Sequence, residues 1–160
     1  MRAVSALSIG GASEASSVTS VLEGQYNTDR LDKVSAAIQA ALMNTLGVPA
    51  DDFYQLVFEF PRAHFRHTRS FVGMHYSDDL IILELTFIEG RPSATRLALL
   101  KDINTRVAGE AKISPDDLVI TLYEAPGVNF SFGQGEAQQA GVVPRDPMAR
   151  PAKSVKEEAN

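Results

Sequence analysis

The 160-residue sequence has no cysteine and no tryptophan. Without thiols there are no disulfides and no thiolate zinc site. No apolar run approaches the roughly 20 residues that a membrane-spanning helix needs, so no membrane partner is expected. Positive charge is also scarce: 15 Lys and Arg stand against 20 Asp and Glu, a net charge of −5. A nucleic-acid surface needs a basic face, so nucleic acid is not expected as a partner. Only three histidines occur, His64, His67 and His75, all in one stretch that holds no acid from 61 to 77. Without a carboxylate beside them no metal site is expected. Proline is absent until Pro49. A secretory signal is weak as well. Residues 3–12 are only mildly apolar and are interrupted by Ser5, Ser8 and Gly10, so a leader on a cytoplasmic protein is the expectation.

The most apolar stretch is 79–91, DLIILELTFIEGR. Residues 80–88 carry one charge, Glu84, and read as a central strand with most of both faces buried. An amphipathic pattern of helix length follows from Ser93. The same succession occurs earlier. Gly24 and Gly90, each after a glutamate, lie 66 residues apart; Asp52 and Asp117, and then Glu59 and Glu124, each lie 65 apart. A constant offset across three landmarks argues for two βαβ units in tandem. The first spans 17–60 and the second 79–124, in one domain over 17–139.

Local signals fill in each unit. Asn27 or Thr28 caps the first helix, whose buried stripe is Leu31, Val34, Ile38, Leu42 and Leu46. Gly47 stops it and Pro49 prevents its resumption. Residues 54–60 alternate, with Tyr54, Leu56, Phe58 and Phe60 on one face. In the second helix the expected stripe is Leu97, Leu100, Ile103, Val107 and Ala111, and a strand over 118–124 closes the repeat. The connector 61–78 forms a basic island through Arg62, Arg66 and Arg69, readable as an anion-recruiting mouth or as a solvated loop. Residues 129–137 hold two aromatics among glycines and read as an ordered turn or short edge strand. A disordered leader over 1–16 and a Pro-rich disordered tail over 140–160 complete the chain.

The tandem βαβ units with their Glu-Gly steps resemble the tautomerase superfamily, whose simplest member is oxalocrotonate tautomerase. Several runs are similar to its double-length branch, which includes malonate semialdehyde decarboxylase-like proteins: LGVPADDFYQ (46–55), SDDLII (77–82), Gly90-Arg91 and NFSFGQGEA (129–137). The resemblance covers about 17–138 and implies an α+β fold, a four-stranded sheet with two helices on one face. It also implies a homotrimer assembled through the other face, with cofactor-independent chemistry on a small carboxylic acid.

In that family an amino-terminal proline moves the proton. An apolar pocket lowers its pKa, because burial disfavours the charged form. The corresponding position here is Ala15, inside the chain. The resemblance further places Asp52 where the decarboxylase branch activates water, and Arg91 where that branch holds a carboxylate. Gln25 stands where oxalocrotonate tautomerase has a substrate-binding arginine, and Gln39 where some dehalogenases carry a helix histidine. Glu89 occupies the place of the branch's second arginine. Tyr54 is the candidate substitute base, and Phe130 and Phe132 are candidate wall residues. Each has a plainer reading: Arg91 as a surface arginine paired with Glu89 or an aspartate, Asp52 as a turn cap like Asp116-Asp117, the phenylalanines as packing. Two functions therefore stand: proton transfer next to a carbonyl, weak or lost without the proline, or a non-catalytic trimeric binding or structural module.

Overall fold

In the computed structural model, residues 15–142 are described. The expected leader and tail lie outside them, except for 15–16 and 140–142. Strand β1 (Ala15–Leu22) leads into helix α1 (Thr28–Leu46) and strand β2 (Tyr54–Phe60). A small hairpin, β3 (Ser70–Phe71) and β4 (Met74–His75), occupies the connector. The second unit is β5 (Ile81–Ile88), α2 (Ser93–Ala111) and β6 (Leu118–Ala125). The sheet order is β2-β1-β5-β6. Both outer pairs are parallel, as βαβ units require, and β1 runs antiparallel to β5 at the centre. This is the α+β architecture expected from the tandem repeat.

The sheet's two faces differ sharply. Ser17, Thr19 and Val21 of β1 and Ile81, Leu83, Leu85 and Phe87 of β5 are buried beneath the helices. Ile38, Leu42 and Leu46 of α1 and Leu99, Ile103 and Val107 of α2 meet them. Each large aliphatic side chain buried this way contributes about 1.5–3 kcal/mol. On the other face Ile82, Glu84 and Thr86 are only half-buried, so β5 is covered on one face rather than on most of both. Leu56, Phe58 and Tyr123 lie exposed on that open face.

Local chemistry sets the helix ends. The Asn27 side chain accepts from Arg30 N–H at 2.9 Å and caps α1. Gly47 (φ 69°) adopts the left-handed conformation, and its N–H and that of Val48 close on Met43 and Leu42 carbonyls.

Two sequence expectations need correction here. The first strand starts at Ala15, two residues before the expected start of the first unit at 17, so Ala15 and Ser16 belong to the sheet and not to a leader. The buried stripe of α2 is Thr95, Leu99, Ile103, Val107 and Ala111, whereas Leu97 is 66% exposed. At 3.6 residues per turn Leu97 sits about 120° around the helix from Ile103, and the four-residue row through Leu99 faces α1 and the sheet instead. The connector's basic island, by contrast, has a single acid against three arginines. Asp78 follows it directly and accepts from Arg62 at 2.6 Å and Arg69 at 3.0 Å. These two partners hold the Asp78 carboxyl down to about 2. No helix among the described residues is long and apolar enough to cross a membrane.

Candidate functional site

The antiparallel centre of the sheet brings the start of β1 beside the end of β5: Ala15 pairs with Phe87. The parallel partner β2 begins at the same end, with Tyr54 opposite Ser16. The chain leaving β6 then crosses this end of the sheet. Pro126 begins a single 3-10 turn (Gly127–Asn129), after which Phe130 and Phe132 stack with parallel planes, 2° apart, and centroids 6.2 Å apart. Phe132 reaches the Tyr54 ring at 6.0 Å. The Gln138 side chain bridges this segment, accepting from Phe132 N–H and donating to Gly133 O. Gly127 has no room for a Cβ, which would lie 2.4 Å from Gln139 O.

Together these elements enclose a cavity of about 320 Å³, lined by Ala15, Ser16, Tyr54, Phe130, Ser131 and Phe132. A second cavity of about 380 Å³ shares Ser16 and Tyr54 and continues along β1 and β2 past Val18 and Leu56.

Asp52 stands behind the first cavity. Ala15 N–H donates to its Oδ2 at 3.3 Å. Burial pushes the Asp52 carboxyl above its ordinary range; the Ala15 N–H draws it partly back, and the nearby Asp51 adds to the rise. Gln39, buried on α1, donates to the backbone carbonyls of Asp52 (3.0 Å) and Pro49 (3.4 Å). Its amide therefore fixes the turn that aims Asp52 at residue 15.

The fold thus assembles Ala15, Asp52, Tyr54, Phe130 and Phe132 in one place, with Gln39 one layer behind. Arg91 and Gln25 do not line the cavity. The Arg91 side chain is 4% exposed and turned inward. It donates to Ile88 O at 2.9 Å and to Leu46 O, at the C-terminus of α1, at 3.3 Å, and it lies over the Phe87 ring at 5.5 Å. A guanidinium is favoured there because the last carbonyls of a helix carry partial negative charge. Arg91 is therefore neither a surface arginine nor part of the cavity lining. Gln25 follows the far end of β1, about 23 Å from Ala15 at ~3.3 Å per residue. Its carbonyl accepts from Arg30.

Sequence reasoning missed Ser16 and Ser131 as lining residues. Both were within reach of pattern: Ser16 alternates onto the open face beside Ala15, and Ser131 stands between the two phenylalanines. It also missed Ser17, whose hydroxyl is buried with no hydrogen-bond partner among the described residues. Among the described residues no three His, Asp or Glu side chains converge on a point that could hold a metal ion.

The sequence model of the family described as "Tautomerase enzyme" matches residues 51–133, more than half of the chain. The chain belongs to the tautomerase family. Two relatives from Bacillus subtilis (strain 168) agree in kind. "Probable tautomerase YusQ" is 27% identical over 108 residues, 68% of this chain and 85% of that protein. "Probable tautomerase YrdN" is 27% identical over 118 residues, 74% and 90% of the two chains. Among solved structures, malonate semialdehyde decarboxylase superposes with a TM-score of 0.69 at 23% identity, over 76% of this chain and 92% of that one. A fused 4-OT that forms an asymmetric trimer gives 0.65 at 18% identity, over 79% and 98%. At these identities the likeness establishes the tautomerase fold.

Proposed function

We propose that this tautomerase-family protein keeps a small-molecule pocket but carries out proton transfer next to a carbonyl, on small 2-oxo or unsaturated carboxylic acids, slowly or not at all. The nitrogen of residue 15 carries this reading. Glu14 precedes Ala15, so that nitrogen belongs to a peptide bond, and it donates to Asp52. An amide nitrogen has no basic lone pair. Asp52 and Tyr54 are the remaining groups with which a proton could be exchanged. Loss of a positioned base typically forfeits about 10²–10⁴-fold in rate.

A homotrimer belongs to the same proposal. The open face of the sheet leaves Leu56 60% and Phe58 47% exposed, and large exposed apolar patches favour association. Fused 4-OT proteins of this fold are trimers. Light scattering should give about three times 17.3 kDa; a stable monomer at micromolar concentration contradicts the assembly.

The activity reading is tested by phenylenolpyruvate ketonisation with the full chain. Slow turnover is expected. A variant lacking residues 2–14 with Ala15→Pro, after confirmed methionine removal, should gain activity by at least about a hundredfold. Fast turnover by the full chain with residues 1–14 attached would refute the reading.

A further inference from the structure

A substrate carboxylate needs a cation, and we propose that the neighbouring copy of the chain supplies it. Each β3-β4 hairpin sits on the next copy's open face, and Arg66 beside that hairpin holds the carboxylate in the next copy's cavity. This rests on the carboxylic-acid pocket and the trimer proposed above. None of the six residues lining the cavity is charged. Within the same chain the guanidiniums are engaged. Arg91 turns inward to Ile88 O and Leu46 O. Arg96 pairs with Glu124, Arg30 with Asp79 and Arg106 with Asp102. Arg62 and Arg69 share Asp78. Arg66 differs. It is exposed, and its Nε donates to Ala63 O at 2.8 Å. Its two terminal nitrogens, half of the fork that grips a carboxylate, have no partner among the described residues.

Arg66 does not reach its own cavity. The connector leaves β2 at Phe60, beside Leu22, and enters β5 near Ile82, beside Ser20, so it lies at the end of the sheet away from Ala15. Asp116 and Asp117 pin it there, accepting from His75 N–H at 2.9 Å and Ser77 N–H at 2.6 Å. From that end it projects an apolar tip. Phe71 is 66% and Val72 77% exposed. Val72 (φ 51°) is held in the left-handed conformation that a β-branched side chain rarely adopts, and Gly73 (φ 83°) follows it there. The open face offers the matching surface. The groove of about 380 Å³ that adjoins the cavity runs past Val18, Phe53 and Leu56, and Phe53 and Leu56 are exposed. Five residues separate Arg66 from Phe71, at most about 17 Å of chain, and three separate Val18 from Ala15, about 10 Å. A tip seated at Leu56 therefore leaves Arg66 within reach of the cavity. The turn before β2 adds Asp51, which is exposed, and Asp52, so an arriving guanidinium meets complementary charge. Tip and groove are different patches of one chain. The contact is therefore heterologous, the kind that closes into a ring such as a cyclic trimer.

The test uses the full chain with phenylacetate and its uncharged amide, phenylacetamide, read by calorimetry. Arg66→Ala should weaken phenylacetate at least about tenfold and the amide less than about twofold, because only the anion engages the guanidinium. Arg66→Lys, which keeps the charge but not the fork, should fall between. Mixed trimers show whose cavity is served. Ser131→Trp fills the cavity from an exposed position and leaves the connector intact. Subunit exchange between Arg66→Ala and Ser131→Trp chains should restore tight phenylacetate binding to a fraction of the cavities, although neither parent binds it tightly. Phe71→Asp should lower the mass seen by light scattering and weaken phenylacetate together. An Arg66→Ala chain that binds phenylacetate within about twofold of the unsubstituted chain overturns the inference and leaves the pocket and the trimer standing. Mixed trimers, verified by native mass spectrometry, in which binding is not restored also overturn it. So does a Phe71→Asp chain that stays trimeric with full affinity. An unsubstituted chain that binds neither probe, or that is a monomer, refutes the pocket or the trimer and this inference with it.

Discussion

Replacing Arg91 with alanine separates two roles that a sequence cannot distinguish. In the structure its guanidinium satisfies Ile88 O and Leu46 O and packs over Phe87 in an environment that is 4% exposed. Truncation strands both carbonyls and leaves a void where the side chain lay. A buried polar group left without its partner costs about 1–3 kcal/mol. With two carbonyls affected and water entering the void to repay part of the loss, a net cost of about 3–5 kcal/mol follows. At roughly 4 °C per kcal/mol for a domain of this size, thermal unfolding should shift down by about 12–20 °C. The assay is circular dichroism at fixed protein concentration, since association also moves the midpoint. Binding of phenylenolpyruvate, measured well below the transition, should change less than threefold. A midpoint within about 2 °C of the parent, combined with loss of carboxylate binding, would refute the structural assignment of Arg91 and restore a ligand role.

Other outcomes follow from single contacts. Gly127→Ala places a Cβ 2.4 Å from Gln139 O, so the segment carrying Phe130 and Phe132 must shift; phenylenolpyruvate affinity should fall, and unchanged affinity would contradict the close approach. Leu99→Ala should destabilise by about 2–5 kcal/mol, whereas Leu97→Glu should stay within about 0.5 kcal/mol in denaturant titrations. Reversal of that order would restore the stripe expected from sequence. The Asp78 clamp is a pH prediction. Its folded carboxyl lies near 2, below the unfolded value of about 3.9, so its contribution is complete above that value and lost as pH falls toward 2. The protection factor of the Tyr76 amide, whose N–H donates to Arg69 O, should hold from pH 7 to 4 and fall below it. Asp78→Asn should exchange faster throughout, and an identical profile for the variant would count against the clamp.

What the sequence made legible was local or repeated. The Asn27 cap, the Gly47 stop and the alternation of 54–60 each depend on neighbours within a few residues, and the constant 65–66 offset exposed the two βαβ units. Ala15, Tyr54, Phe130 and Phe132 could be picked out because resemblance aligned separate segments at one end of a known sheet. Arg91 could not be placed, because its fate depends on a carbonyl 45 residues earlier at the end of α1. The α2 stripe was misjudged because Leu97 fits the apolar pattern as well as Leu99 does. Only packing against α1 chooses between them. The pairing of Asp78 with Arg62 and Arg69 could not be read from the connector, because it joins residues 16 and 9 apart across the β3-β4 hairpin. The contact between Ala15 N and Asp52 joins residues 37 apart, so no periodicity announces it.

That the nitrogen at residue 15 is an amide donor held by Asp52 decides the proposed function. It is tested most directly by nuclear magnetic resonance of the uniformly ¹⁵N-labelled full chain across pH 5 to 9. Ala15 should show a backbone amide resonance that persists through this range without titrating and is altered by Asp52→Asn. A residue-15 nitrogen that titrates as an amine near the ordinary α-amino value of about 7.7–8.0 would contradict it.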